Sequence, residues 1–453
     1  MPSYRETLEY ILSRTDFERD RGTPYNQRDW RLTRVEELLA QLGKPHRAYP
    51  SVHIAGTKGK GSTTAMVDSI LRAAGYRVGM YTSPHLHTFR ERIQLQGRPI
   101  PEEDLVTLVE EIRPIVNARP KTSVFELITA LAMWHFARQE VDLAVFEVGL
   151  GGRLDATNVL TPLVSLITSI SIDHIGVLGT TLAQIAREKA GIIKPDVPVV
   201  SSPQRPSAMR VIRETAAAQQ APLTIAKRDW RWRDLGPTNN SQRLAIYRAG
   251  SHRSPEYPEL WLPLLGKFQL ENACTAVAGI EALREQDIEI PREAVHEGLA
   301  QVYWPGRMQV LCREPLVVAD GAHNAYSVSQ LIQSLPAYLE YQRIRLIFGA
   351  GQTHRPASML ELLLPQAAHA YVTAARHPKS ASPEMLRDLG QELGYSVEIC
   401  ATTEAALRLA VREAGPDELI LVTGSLFIVA EALSAWEAMQ GRNPFPSDPP
   451  GIY

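Results

Sequence analysis

The stretch "HIAGTKGKGST", residues 53–63, places Lys58 and Lys60 among Gly56, Gly59 and Gly61, ahead of a run of hydroxyls. Such a loop can wrap phosphate: glycines admit close backbone approach, an ammonium neutralises charge, and N–H groups opening a helix point at the anion. The N–H groups of residues 56–61 are the expected cradle, with Lys60 on the β and γ phosphates. The usual pattern sets Ser or Thr directly after Gly-Lys as a magnesium ligand. Here Gly61 stands there and the hydroxyls are Ser62, Thr63 and Thr64, so Ser62 is the nearest candidate.

Further along, Glu147 in "AVFEVGLGG" is a carboxylate closing a nearly unbroken apolar run. Burying it is costly unless it is paired or holds a cation, and Mg²⁺ takes hard oxygen donors. Ser83 in "TSP" and His174 in "DH" also end apolar runs and so converge on the same edge. In "TLAQIAREKAG", Leu182, Ile185, Ala186 and Lys189 recur at helical spacing on one face. A lysine on a buried stripe is paired, or snorkels to water, or loses its proton and becomes reactive. "ADGAHN" adds Asp320 and His323 after a strand, and Thr423 to Ser425 lie between a strand and a helix, where a helix N-terminus suits a carboxylate ligand.

Parallel α/β units must position these groups. "YPSVHIAG" reads as a strand, "STTAMVDSILRAAG" as a helix ending at Gly75, and "YRVGMYTSP" as the returning strand; "VDLAVFEVGLGG" and "PLVSLITSISIDH" are further buried strands. Residues 4–42 read as helices broken at "RGTPYNQRD", and residues 203–262 as peripheral strands and loops. After "VYWPGRMQV" a second alternation begins, with strands "LVVADG", "RIRLIFGAG", "AHAYVTAA", "YSVEIC" and "ELILVTGS" and a helix "SPEMLRDLGQELG" capped by Ser382. The fold class is α/β: an N-terminal P-loop NTPase-like parallel-sheet domain over 1–304 and a C-terminal Rossmann-like domain over 305–453.

At 453 residues the chain exceeds one core, and 48 Lys plus Arg against 50 Asp plus Glu leave no basic surplus for nucleic acid, so small molecules are the expected partners. Cys274, Cys312 and Cys400 are isolated, which excludes a disulfide framework or thiolate zinc site. The charged first segment is no signal peptide and no run is long enough to span a membrane; a cytoplasmic protein is expected.

Taken together, "AGTKGKGST", "YTSPHLHTFRERI", "EVGLGGRLDATN", "SISIDHIGVLGTTLAQIAREKAGIIK", "WPGRMQV", "DGAHN" and "TGSLFIVAE" resemble, in order and over almost the entire chain, folylpolyglutamate and dihydrofolate synthases of the Mur ligase superfamily. The resemblance implies an ATP-dependent ligase joining L-glutamate to a folate or dihydropteroate through an acyl phosphate, with ATP and two Mg²⁺, acting as a monomer. It implies catalytic roles for Lys60, Lys189 and His323, Lys189 as a carbamylated lysine. It places ATP on Gly56, Thr57, Lys58, Gly59, Lys60, Gly61, Ser62, Asn272, Arg307 and Asp320, and magnesium on Ser83, Glu147 and His174. Phe125, Leu154, Asp155 and Ala156 match a pterin-side pocket, and His323 and Ser425 lie near the incoming glutamate. Two departures fall on the cleft between domains: Phe268 replaces a histidine common in relatives, and "FGAGQTHRP" lacks the Asp-Lys-Asp that often follows that strand. Competing readings are a muramyl-type ligase, opposed by "SPHL" and "LGGRLDATN", and a P-loop switch, which would need no buried Lys189.

Overall fold

The computed structural model describes residues 2–15, 31–173, 175–250, 254–352 and 355–452. An eight-stranded sheet is built from β1 (Ser51–Ala55), β2 (Val78–Tyr81), β3 (Ile93–Leu95), β4 (Arg98–Pro99), β5 (Leu143–Glu147), β6 (Val164–Ile167), β7 (Val199–Ser201) and β8 (Leu223–Ile225). Its order is β4-β3-β2-β5-β1-β6-β7-β8. The pairs from β2 to β8 are parallel, and the β3–β4 hairpin is added antiparallel at one edge.

Both faces are covered, which is why the strands read as apolar runs. Val52, Ile54, Leu143 and Val145 pack with the helices Lys60–Ala73 and Lys267–Arg284; Ala144 and Phe146 pack on the opposite side with the helix Val124–Arg138. Each such large side chain contributes roughly 1.5–3 kcal/mol on leaving water. The alternation also aims Glu147. It follows Leu143 and Val145 at period two, so it leaves the strand toward the face carrying Lys60.

Residues 203–262 hold more order than their composition suggests. The helix Pro206–Ala218 starts with proline at its first position and buries Ala208, Val211, Ile212 and Ala216. The polar letters that hid it lie on its exposed face. Beyond it, β9 (Trp230–Pro237), β10 (Gln242–Arg248) and β11 (Tyr257–Leu262) form a separate antiparallel sheet. The helices Tyr4–Leu12 and Leu32–Gln41 flank the expected break at "RGTPYNQRD", which lies outside the described residues.

The second sheet has the order β12-β13-β17-β14-β15-β16, from β12 (Gln309–Arg313), β13 (Leu316–Ala319), β14 (Arg343–Phe348), β15 (Ala367–Val372), β16 (Glu398–Ile399) and β17 (Glu418–Thr423). Only the β12–β13 pair is antiparallel among its described pairings. Leu419 and Leu421 face one core cluster, Ile420 and Val422 the other. The chain then crosses back: after the helix Leu426–Met439, residues 445–452 return to the first domain, where Ile452 joins its core.

Candidate active site

The glycine-rich loop leaves the C-terminal end of β1, between β5 and β6, where an open α/β sheet changes direction and offers a crevice. Gly56 has φ 153°, and a Cβ there would stand 1.8 Å from Thr168 Oγ1. No other residue lets the loop pass so close to β6. The Thr57 and Lys58 N–H groups both donate to the Ser169 carbonyl, at 2.9 and 3.1 Å. The expected cradle therefore narrows. Two of its amides tie the loop down, while those of Gly59 to Ser62 head the helix Lys60–Ala73, where an α-helix has no acceptor of its own and its dipole favours an anion.

Gly61 answers to packing. A Cβ there would lie 2.7 Å from Trp304 Cζ2, so the indole at the junction of the domains rests on the loop. Ser62 Oγ accepts from Gln269 Nε2 at 3.2 Å, and Gln269 Oε1 accepts from Asn272 Nδ2 at 2.8 Å. Asn272 in turn lies against Gly59, and Phe268 packs on Gly266.

Glu147 is buried at the strand end. Ser83 N–H donates to its Oε2 at 3.3 Å, and Lys60 Nζ lies 3.8 Å from its Oε1. Burial pushes its carboxyl up, against the pull of Lys60, the Ser83 amide and Arg307. Arg307 comes from the start of the second domain; burial lowers its guanidinium, with Asp320 and Glu147 opposing. His174 lies outside the described residues. Among the described residues no group of three His, Cys, Asp or Glu could hold a metal. One carboxylate with the neighbouring Ser83 hydroxyl is nonetheless a donor set that fits Mg²⁺, which keeps waters and takes phosphate oxygens.

Lys189 is 4% exposed and donates from Nζ to the Gly56 carbonyl at 2.8 Å. It shares its apolar face with Ile185 and Ala186. Burial pushes its amine down to about 7; Lys60 adds to the shift, and Asp173 and Asp155 oppose it. Lys58 pairs with Asp173 at 3.1 Å, and burial lowers its amine too.

The residues matched to a pterin-side pocket separate into two kinds. Phe125 packs against Gly149 and Tyr81 and, like Leu154, keeps partial exposure. Asp155 and Ala156 are inside the fold: Asp155 accepts from the Leu150 and Thr157 amides at 2.9 and 3.0 Å and caps a short 3₁₀ turn.

On the second domain, β13 and β17 end side by side, and Gly424 N–H donates to the Ala322 carbonyl at 3.0 Å, joining their two turns. Asp320 accepts from the Met308 and Ala322 amides at 2.7 and 2.8 Å. His323 Nδ1 donates to the Gly321 carbonyl at 2.9 Å. Ser425 Oγ caps the helix Leu426–Met439 by accepting from Ile428 N–H at 3.2 Å. Three side chains at this junction went unassigned from sequence. His85 accepts from Arg92 Nε at 3.1 Å, both buried, and His377 stacks on Phe427 at 4.0 Å. The density of His and Arg in "YTSPHLHTFRERI" was the available signal for the first two.

A phosphate loop on one parallel sheet, facing a second α/β domain across a buried lysine, carboxylate and arginine, defines a Mur-type ligase architecture. The Mur ligase middle domain matches residues 54–280, and the glutamate ligase domain of Mur ligases matches residues 306–426. The dihydrofolate synthase/folylpolyglutamate synthase of Bacillus subtilis is 35% identical over 88% of this chain and 93% of its own length. A Haloferax volcanii protein assigned as a bifunctional folylpolyglutamate synthase/dihydropteroate synthase is 36% identical over 96% of this chain, which spans about half, 50%, of that relative. The structure of Mycobacterium tuberculosis folylpolyglutamate synthase complexed with ADP and AMPPCP superposes with a TM-score of 0.82 at 34% identity, covering 92% of this chain and 96% of that one. The chain belongs to the folylpolyglutamate synthase/dihydrofolate synthase family. No described helix is long and apolar enough to cross a membrane.

Proposed function

We propose that the chain is an ATP-dependent ligase that joins L-glutamate to the carboxylate of a folate or of dihydropteroate. The observation that carries this is the convergence of Lys60, Glu147 and Lys189 beside the loop with Arg307 from the other domain. Relatives of near-equal length bear the synthase names, and one relative's structure holds ADP and an ATP analogue.

The acceptor carboxylate attacks the γ-phosphate of ATP, forming an acyl phosphate and releasing ADP. The glutamate amine then attacks the acyl carbon, phosphate leaves, and the amine's proton passes to solvent. Gly59 to Ser62 hold phosphate oxygens through their amides, and Lys60 and Arg307 place fixed positive charge where the transferring group accumulates negative charge. Ser83, Glu147 and His174 would hold Mg²⁺, which when bound neutralises phosphate charge. Lys189, its amine lowered to about 7, is half neutral near that pH. It can add CO₂, forming an N–C bond and releasing one proton, to offer a carboxylate for the second magnesium. Asp320 and Asn272 hold the edges of the nucleotide cleft, Phe125 and Leu154 face the pterin, and His323 and Ser425 receive the glutamate. The reading takes a single chain as the active unit.

Glutamate-dependent ADP release with dihydropteroate and with tetrahydrofolate, products weighed by mass spectrometry, tests this. A one-glutamate mass gain with either acceptor is expected. ADP release without any such product would overturn it.

A further inference from the structure

Residues 445–452 fasten onto a turn that the chemistry above uses only at its first residue. Ser83, whose amide holds Glu147, opens the segment 83–92 between β2 and β3. Inside that segment the Glu91 carboxylate gathers the amides of Leu86, His87 and Thr88 at 2.7, 2.9 and 3.0 Å, which makes the turn compact. Its outer side is then met by the end of the other domain. Asp448 Oδ1 accepts from Thr88 Oγ1 at 2.7 Å and from the Tyr4 hydroxyl at 2.6 Å, while its Oδ2 accepts from Phe89 N–H at 2.7 Å.

Phe445 stacks on the His87 ring, centroids 4.4 Å apart and 15° between planes. Leu86, partly buried, packs against the core of the second domain, and Ile452 is buried in the core of the first. So each domain packs an apolar side chain of its own against the other's core. The described covalent passage at 302–306 is thereby supplemented by a noncovalent crossing, one of several that include the Tyr338–Gln242 hydrogen bond and Leu265 in the second domain's core.

We propose that residues 445–452 are a positioning strap. By fixing the 84–89 turn they set where Ser83 and the Glu147 carboxylate meet the phosphate loop, so that seating of the second domain and readiness of these oxygens are one event. Asp448 and Phe445 touch no reacting atom; they act through the turn. The metal-side consequence rests on the magnesium reading of Ser83 and Glu147, whereas the hold on the turn does not.

The test uses the 453-residue chain carrying Asp448→Ala or Phe445→Ala, with Phe445→Tyr, which keeps the stack, as the conservative control. Hydrogen exchange at the amides of Leu86 to Phe89 should quicken about tenfold in Asp448→Ala while β1 and β5 stay protected. Mn²⁺, followed by electron paramagnetic resonance in the presence of ADP, should bind about tenfold more weakly in both alanine variants, as outer partners of a metal site do. Metal-free ADP affinity should be unchanged, and Phe445→Tyr should behave as the parent. Unchanged exchange in the turn overturns the strap. A lowered melting temperature with unchanged Mn²⁺ affinity overturns its positioning role. Should the parent itself bind no Mn²⁺ beside ADP, the magnesium reading fails, and the exchange data alone decide whether the tail holds the turn.

Discussion

The two edges that face each other across the cleft are built on opposite principles. At the phosphate edge, ionisable groups sit in conflict with their surroundings: Lys189 and Lys58 are pushed down by burial, Glu147 is pushed up, and the Lys60–Glu147 contact is long at 3.8 Å. At the second domain's edge Arg307 shares that conflict and burial pushes Asp320 up as well, but Asp320 is engaged by two backbone amides and Ser425 serves as a helix cap. A group left under-satisfied can be completed by a ligand, whereas a saturated one presents backbone geometry. On the proposed function, the phosphate edge together with Arg307 carries the reaction chemistry, and Asp320 and Ser425 carry orientation.

If that contrast holds, substitutions at the first edge should strike turnover and those at the second should strike stability and glutamate KM. The largest effect is expected from Lys60→Ala, which removes fixed charge from the transferring phosphoryl group and should lower kcat by about 10²–10³-fold with an unchanged melting temperature. A loss confined to the KM for ATP would break the contrast.

Next comes Lys189→Met, expected to lower kcat roughly 10–100-fold, the range seen when support for a metal site is removed. The same variant should melt higher. The folded amine is held at about 7 against the ordinary lysine value of 10.5, so the unfolded chain binds more protons between those values and stability rises with pH across that window. The destabilisation is full below pH 7 and fades toward 10.5. Calorimetry in CO₂-free buffer, where the amine is unmodified, should therefore show a larger gain for Lys189→Met at pH 7 than at pH 9, and an equal gain there would sink the assignment.

Gly61→Ser restores the usual phosphate-loop hydroxyl and should nonetheless weaken ATP binding by about 1–3 kcal/mol, because its Cβ collides with Trp304. Adding Trp304→Ala should recover most of that loss in a titration. The smallest effect is Ser425→Ala, which removes a cap worth about 1 kcal/mol of stability and should raise the KM for glutamate while sparing glutamate-independent nucleotide binding.

The phosphate edge was legible because its signals are local: glycine spacing, a carboxylate ending an apolar run, a lysine on an apolar stripe. Strand-by-strand reading also recovered β1, β2, β5 and β6 of the first sheet and β13 to β17 of the second for the same reason. The helix Pro206–Ala218 was missed because Ser207, Arg210, Arg213 and Glu214 are polar and solvent-facing, and the four small alanines it carries give a weak apolar stripe. Asp155 accepts from the Leu150 amide before it and the Thr157 amide after it, a partnership that no spacing in the sequence announces. Gly61 was visible as an anomaly but not its cause, since Trp304 lies far away in sequence. The tail, "NPFPSDPPGIY", has no period at all, so nothing in it pointed to Thr88 or Phe89.

That tail also changes what counts as an interchangeable part. Because Asp448 and Phe445 are fitted to Thr88, Phe89 and His87, and Ile452 to the first domain's core, a second domain grafted from a relative carries half of a lock whose other half stays behind. Chimeras that exchange the turn 84–89 together with everything beyond 305 keep the Thr88, Phe89 and His87 half of the joint, whereas Tyr4 and the seat of Ile452 stay with the first domain; those cut at the linker alone keep none of it.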